Sequence, residues 1–423
     1  MNVATLIALY GEGDLEASTT RFQKLIETFP DTDINPIDLD FFVASGRVEI
    51  LGNHTDHQNG KVIAAAVSQD IIATAAPRTD QKFALYSTGF EPVVVELNDL
   101  KIRATEKNTT KALVRGIAAG LVKLGAGKIG ITVNADSTIG IGSGLSSSAA
   151  IEVLLAKIYA YYNLSDQLTD LELAQIAQRA ENQYFGKPSG LMDQAASAIG
   201  GLIGLDFYDP AYPQVLPMDL DLNTINYNLC TVNLNTGHEN LSNEYSKIPH
   251  EMKSVAKLLQ TEVLSQSSKM EVIMNAQLIR NKLGDRALLR ALHFFNEDEN
   301  VSYIFHQYLE HELRGDELAE AILQEMARSG YQSSLLLQNV SLNKQPEHQP
   351  AAVALALSEE FSENDTVRGT YQRIHGGGFG GTILVAVPQE RFQAYQEFME
   401  PVFGKGSVTK LRLRNIGCKK LDL

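Results

Sequence analysis

Apolar positions along this chain fall into short strand-like clusters early and helix-period stripes later. A helix is predicted over Arg21–Phe29, behind the cap candidates Ser18, Thr19 and Thr20, and an irregular Asp/Pro stretch follows it. Strand-like runs then cover Phe41–Ala44, Arg47–Leu51, Val62–Val67, Ile71–Ala75 and Val93–Leu97. Ile129, Ile131 and Val133 repeat at every second position. Ile151, Leu154, Leu155, Ile158 and Tyr162 recur at helical spacing, as do Leu173, Ile176, Ala177, Ala180 and Tyr184 behind the capping-box pair Thr169 and Glu172. The second half predicts a strand near Leu229–Leu234 and several helices between about Asn243 and Arg328. A Gly-rich segment, Gly376–Gly381, leads into an apolar strand, Ile383–Val387. Long helices mixed with strands that do not strictly alternate with them argue an α+β fold. The pattern breaks at Asp206, Asp209 and Pro210, so residues 1–210 and 211–423 are the expected domains.

Composition narrows the class. A length of 423 residues fits two domains or one large one, and a 44% hydrophobic fraction supports a sizeable core. Lys and Arg number 36 against 51 Asp and Glu, a net charge of −15. That balance disfavours nonspecific binding to nucleic acid or an anionic membrane, and leaves room for an anionic substrate at a locally positive site. Cys230 and Cys418 are too few for a disulfide framework and fit a reducing compartment, with one bridge formally open. The N-terminal apolar stretch has no Lys or Arg before it, unlike a signal peptide, and no apolar run approaches the ~18 residues of a membrane span. A cytoplasmic, monomeric globular protein without nucleic-acid or membrane partners is expected.

Four segments carry candidate chemistry. Gly140–Ala150, GIGSGLSSSAA, stands between a strand and a helix. Its glycines allow close backbone approach, and the helix N-terminus offers free N–H groups, so the segment is either a phosphate cradle or a Gly/Ser connector. No lysine follows the glycines, so it is not the common nucleotide-binding P-loop. Ser45–Gly60, SGRVEILGNHTDHQNG, presents Arg47 and then a run of short polar side chains suited to sugar hydroxyls, or to a plain polar loop. His54 and His57 lack the i, i+4 spacing of a helical metal pair. Gly190–Gln194 holds a lone carboxylate, Asp193, as a catalytic group or a helix cap. His375–Gly381, HGGGFGG, is either a ligand-facing loop or a sheet-edge turn.

Taken in order, these segments resemble the galactokinase family, within the superfamily that also holds homoserine, mevalonate and phosphomevalonate kinases (the GHMP kinases). The family's first motif reads like GRVNLIGEHTDYNGG, against GRVEILGNHTDHQNG here. Its second reads like PIGAGLSSSAA, against GIGSGLSSSAA, and its third ends in GGGFGG, present as Gly376–Gly381. The GLMDQ segment and the context A-E-N-x-Y-x-G-x-P-x-G, Ala180–Gly190, match too, with weaker matches at Arg290–Val301 and at the SNEY of Leu241–Tyr245. The resemblance implies a bilobed α+β fold and ATP-dependent phosphorylation of the anomeric hydroxyl of galactose. It implies that Gly140, Gly142, Ser143, Gly144, Leu145, Ser146 and Ser147 bind ATP, and that Ser148 and Glu181 hold Mg²⁺. Asp193 and Arg47 become the catalytic pair, and Asn53, His54, Asp56, Gly190 and Tyr245 the sugar contacts.

The departures cluster around the sugar. Asn53 stands for the family Glu, Glu49 for its Asn and His57 for its Tyr. Ser45 and Gly140 each replace a Pro, and His375 replaces a Thr. The phosphate machinery is retained and the sugar motif reads as divergent. A neutral Asn53 tolerates a C6 carboxylate, so galacturonate is the alternative substrate, and a non-catalytic sugar- and ATP-binding regulator is the alternative class.

Overall fold

Two pairs of short predicted strands are two long ones in the computed structural model. The structure describes residues 2–31, 33–140, 142–165, 168–219, 222, 224–235, 242–341, 346–363 and 369–423. Ile141 of the glycine-serine loop and Leu241 of the SNEY match lie outside the described residues. Strands β1 (Asp40–Leu51) and β2 (Lys61–Arg78) are each continuous, but Ser45 lies opposite Asp70 and Gly46 opposite Val67, so Ser68 and Gln69 form a bulge in β2. The polar stretch in β2 separates two predicted strands because its partners are remote in sequence. Asp70 is buried and takes Arg21 at 2.6 Å, Arg414 at 2.8 Å and the Tyr10 hydroxyl at 2.6 Å. Burying a carboxylate is tolerable when it is paired on several sides. The charges of Arg21 and Arg414 outweigh burial and hold its pKa below the ordinary range.

The remaining strands are β3 (Lys82–Ser87), β4 (Val93–Glu96), β5 (Gly130–Ser137), β6 (Leu202–Asp206), β7 (Gln214–Met218), β8 (Tyr227–Asn233), β9 (Tyr371–Ile374), β10 (Thr382–Pro388), β11 (Val408–Leu411) and β12 (Lys419–Leu421). An eight-stranded sheet has the order β12-β1-β2-β5-β3-β4, with β6 pairing β2 and β7. A four-stranded sheet has the order β11-β8-β10-β9. The final strand therefore returns to the first sheet, where Phe41 lies opposite Leu421.

Helices Thr110–Lys123, Ser147–Asn163, Asp170–Ala180 and Met192–Ile199 share one apolar core with the large sheet. Thr169 and Glu172 form the anticipated capping box. The sequence analysis does not anticipate helices Val3–Tyr10 and Thr110–Lys123, and its Arg21–Phe29 helix extends over Leu15–Glu27. Cys230 and Cys418 are both free and buried. Among the described residues, no helix is long and apolar enough to cross a membrane.

Candidate functional site

Arg47 lies on β1 and Asp193 in the first turn of helix Met192–Ile199, and the fold makes them partners. The guanidinium donates from Nε to Oδ1 and from Nη2 to Oδ2, both at 2.7 Å, the two-pronged geometry that Arg offers a carboxylate. Its remaining Nη1 donates to the Gly144 carbonyl at 2.6 Å, and the Arg47 N–H to the Leu145 carbonyl at 3.0 Å. Ser146 donates its hydroxyl to Asp193 Oδ2 at 2.6 Å. Burial alone raises an acid's pKa, but the Arg47 charge and these hydrogen bonds win and hold Asp193 down at about 2. The Asp193 side chain keeps 31% exposure and stays accessible from outside.

The glycine-serine loop is shaped at this contact. Gly144 has φ +76°, and a Cβ there would stand 3.0 Å from the His375 ring and 3.2 Å from Thr382 Cβ. Ser146 itself adopts the left-handed conformation, φ 59°, just before helix Ser147–Asn163. Such a residue stores strain that its surroundings must hold, which is common at ligand sites. The turn from Gly140 to Ser143 closes by a 3.1 Å backbone bond, and Thr382 on β10 donates to the Gly142 carbonyl at 3.2 Å. Leu145 is buried beneath the loop, while Ser147 is exposed at the helix N-terminus. Both ring nitrogens of the adjacent His375 are buried with no hydrogen-bond partner among the described residues.

The sugar-motif turn meets the same point from the other side. Asp56 follows β1, and a Cβ on Gly190 would lie 1.5 Å from Asp56 Oδ2, so a side chain there would displace the Asp56 carboxyl. Burial, then the charges of Asp193 and Glu49, push the Asp56 carboxyl up to about 7. The two acids are thus pushed in opposite directions, Asp56 up and Asp193 down. The unfolded chain sheds an Asp proton above about pH 4. The stability contribution of protonated Asp56 is therefore complete below that value and is lost as pH rises through about 7. Melting temperatures of the wild type should fall across this window relative to D56N. Parallel curves for the two proteins would contradict the assignment.

His54 packs against His57, with 3.3 Å between ring nitrogens, and burial followed by the nearby His293 lowers its pKa to about 3. Tyr245, on helix Ser242–Leu258, donates its hydroxyl to the Gly378 carbonyl at 3.2 Å and packs on Phe379. Asn53 is placed differently from the expected sugar contact. Its Nδ2 donates to Glu49 at 2.9 Å and to the Gly376 carbonyl at 3.0 Å. Its Oδ1 accepts from Asn339 at 3.0 Å and from Ser333 at 3.4 Å. Protein partners thus use the full hydrogen-bonding capacity of this side chain. Glu49 in turn pairs with the fully buried Arg373 at 2.6 Å. The weaker sequence match in helix Asp285–Leu309 supports the same turn. Glu297 accepts the Gly52 and Asn53 N–H groups at 2.9 and 3.1 Å, and His293 hydrogen-bonds the Asn53 carbonyl at 2.9 Å.

Glu181, the expected metal ligand, opens a π-helical turn, Glu181–Phe185, a feature frequent at functional sites. Its Oε1 takes Lys187 Nζ at 2.9 Å, and its Oε2 takes the Ser189 hydroxyl and, at 3.0 Å, Gln194 Nε2. Gln194 also donates to Glu152 at 3.0 Å. Burial and the Glu181 charge keep the Glu152 carboxyl well above the ordinary range. Ser148 lies half-buried in the first turn of its helix. Among the described residues, no group of three or more His, Cys, Asp and Glu could hold a metal. Ser148 and Glu181 nevertheless fit Mg²⁺, which favours oxygen donors and draws its other ligands from substrate phosphates and water. Lys187, Ser189, Gln194 and Arg373 join the site only through the fold. Lys187 and Ser189 occupy variable positions of the motif Ala180–Gly190, where the sequence carries no signal.

The GHMP kinases N terminal domain matches residues 110–201, and the galactokinase galactose-binding signature matches residues 31–77. The second match spans Glu49, Asn53 and His57, so the divergence read from those positions is not supported. The galactokinase of Streptomyces coelicolor is 30% identical over 88% of this chain and 90% of its own length. That of Enterococcus faecalis is 28% identical over 84% and 87%. Among solved structures, Lactococcus lactis galactokinase complexed with galactose superposes with a TM-score of 0.77 at 23% identity, covering 96% of this chain and all of that one. The mevalonate kinase of Methanococcus jannaschii gives 0.59 at 15% identity over 88% and 98%. These likenesses establish the α+β GHMP kinase fold. On identity across nearly the whole sequence and on the signature laid over β1 and β2, the chain belongs to the galactokinase family of GHMP kinases, ATP-using phosphotransferases with an alcohol acceptor.

Proposed function

We propose that this chain transfers the γ-phosphoryl group of ATP to the C1 hydroxyl of galactose, releasing ADP. The observation that carries the reading is the joint of Arg47, Asp193 and Ser146, where the glycine-serine loop touches the sugar-motif strand. Phosphoryl transfer needs positioning and charge neutralisation more than covalent help. Asp193 orients the C1 hydroxyl. Held near 2, it is a weak base at neutral pH, so it takes the proton only as the new O–P bond forms and the γ-phosphorus leaves the bridging oxygen. Arg47 balances the negative charge at that point, and His54, Asp56, Gly190 and Tyr245 frame the sugar. The loop from Gly140 to Ser147 holds the phosphates with backbone N–H groups and hydroxyls. Ser148 and Glu181 would hold Mg²⁺, which supplies charge neutralisation on the phosphates when bound.

With its amide hydrogens on Glu49 and Gly376, Asn53 offers no donor to a C6 carboxylate, which favours galactose over galacturonate. The test is sugar-stimulated ADP release with Mg-ATP across galactose, glucose, galactosamine, N-acetylgalactosamine, arabinose and galacturonate. Galactose is expected to give the highest kcat/KM. Sugar binding without ADP release would instead identify a regulator.

A further inference from the structure

We infer that Lys187 is a phosphate-contacting residue of this kinase, its ammonium group passing from Glu181 to the nucleotide phosphates when a metal ion takes that carboxylate. The inference rests on the nucleotide site proposed above. The glycine-serine loop carries no lysine. Arg47, the cation that touches that loop, has Nε, Nη1 and Nη2 engaged by Asp193 and Gly144. Yet the surroundings are acidic. Glu181 and Glu152 are bridged by Gln194, the residue after Asp193. A polyanionic nucleotide entering there needs a further cation, and Lys187 is in place.

The geometry leaves Lys187 free to move. Its side chain is 56% exposed, whereas that of Glu181 is 3% exposed, so the ammonium sits at the mouth with the carboxylate beneath. Glu181 has a separate anchor for each oxygen. Ser189 and Gln194 hold Oε2, and Lys187 holds Oε1. When Lys187 departs, the carboxylate keeps its position and presents Oε1 to a cation. Lys187 holds Glu181, Glu181 takes Gln194, and Gln194 follows Asp193 in the chain, so one carboxylate and one amide link the lysine to the reacting end of the site. A lysine on a flexible stem suits such a role, since its three donors serve phosphate oxygens without a fixed approach.

The test is ADP affinity by calorimetry in the presence of Mg²⁺, with K187M, K187R, E181Q and K187M/E181Q. K187M should weaken ADP binding about 10-fold, the scale of a hydrogen bond to a charged group. K187R should recover most of that loss, and galactose affinity should not change in K187M. The decisive comparison is the double mutant. A lysine that touches phosphate loses the same factor in the E181Q background. A loss that disappears there shows that Lys187 acts only on Glu181 and overturns the inference, as does an unchanged affinity in K187M. A wild type that binds no ADP would overturn the nucleotide site itself, and this role with it.

Discussion

Asp193→Asn is expected to remove most phosphoryl transfer while leaving the fold and ligand binding in place. The amide is isosteric with the carboxylate, so Ser146 keeps a partner, and one of the two Arg47 bonds of 2.7 Å persists. The negative charge and the site for the C1 proton are lost. General acid–base and positioning groups contribute about 10²–10⁴-fold, and kcat should fall within that range. KM for galactose and the affinity for ADP should stay within about an order of magnitude, because the remaining contacts act on ground state and transition state alike. Steady-state ADP release, with calorimetry on the same preparation, separates the two quantities. Turnover close to the wild type would remove Asp193 from the reaction.

The second large effect lies at the buried pair of Glu49 and Asn53. Asn53→Glu should destabilise the protein severely, and the exchange E49N/N53E should recover a substantial part. In the single variant two carboxylates meet where Asn53 and Glu49 now lie 2.9 Å apart, with both residues buried. The Gly376 carbonyl, now an acceptor for the Asn53 amide, would face a second anion. An uncompensated buried charge costs about 3–5 kcal/mol. The double variant restores one acid and one amide, in the order of the resembling family motif, and leaves a single carboxylate near Arg373. Urea unfolding midpoints at constant m-value measure both. A double variant no better than N53E would show that the pair is not an exchangeable unit.

Much of the site is legible in sequence because its residues act through local chemistry. A glycine loop before a helix, a polar turn after a strand and a Gly-flanked Asp each also read as connector, loop or cap, and it is their order that carries the family resemblance. Their meeting is not legible. Nothing in the spacing of Arg47 and Asp193 says that they pair, and no local signal tells that Gly190 is glycine because Asp56 lies against it. Buried polar residues mislead most. Asp70 stands between two predicted strands, Val62–Val67 and Ile71–Ala75, yet it lies inside β2 with Arg21, Arg414 and Tyr10 around it. The resemblance makes Asn53 a sugar contact, and nothing in the sequence tells that Glu49, Gly376, Ser333 and Asn339 engage it. Exposure and partners, which only the fold supplies, decide such cases.

The most direct measurement is the position of the phosphate on the product formed from galactose and Mg-ATP, read from the phosphorus coupling to sugar protons by NMR. Transfer at the Asp193 joint predicts a single product with phosphorus coupled to the anomeric proton, formed in step with ADP. Phosphate on another carbon, or ATP hydrolysis with unmodified galactose, would contradict it.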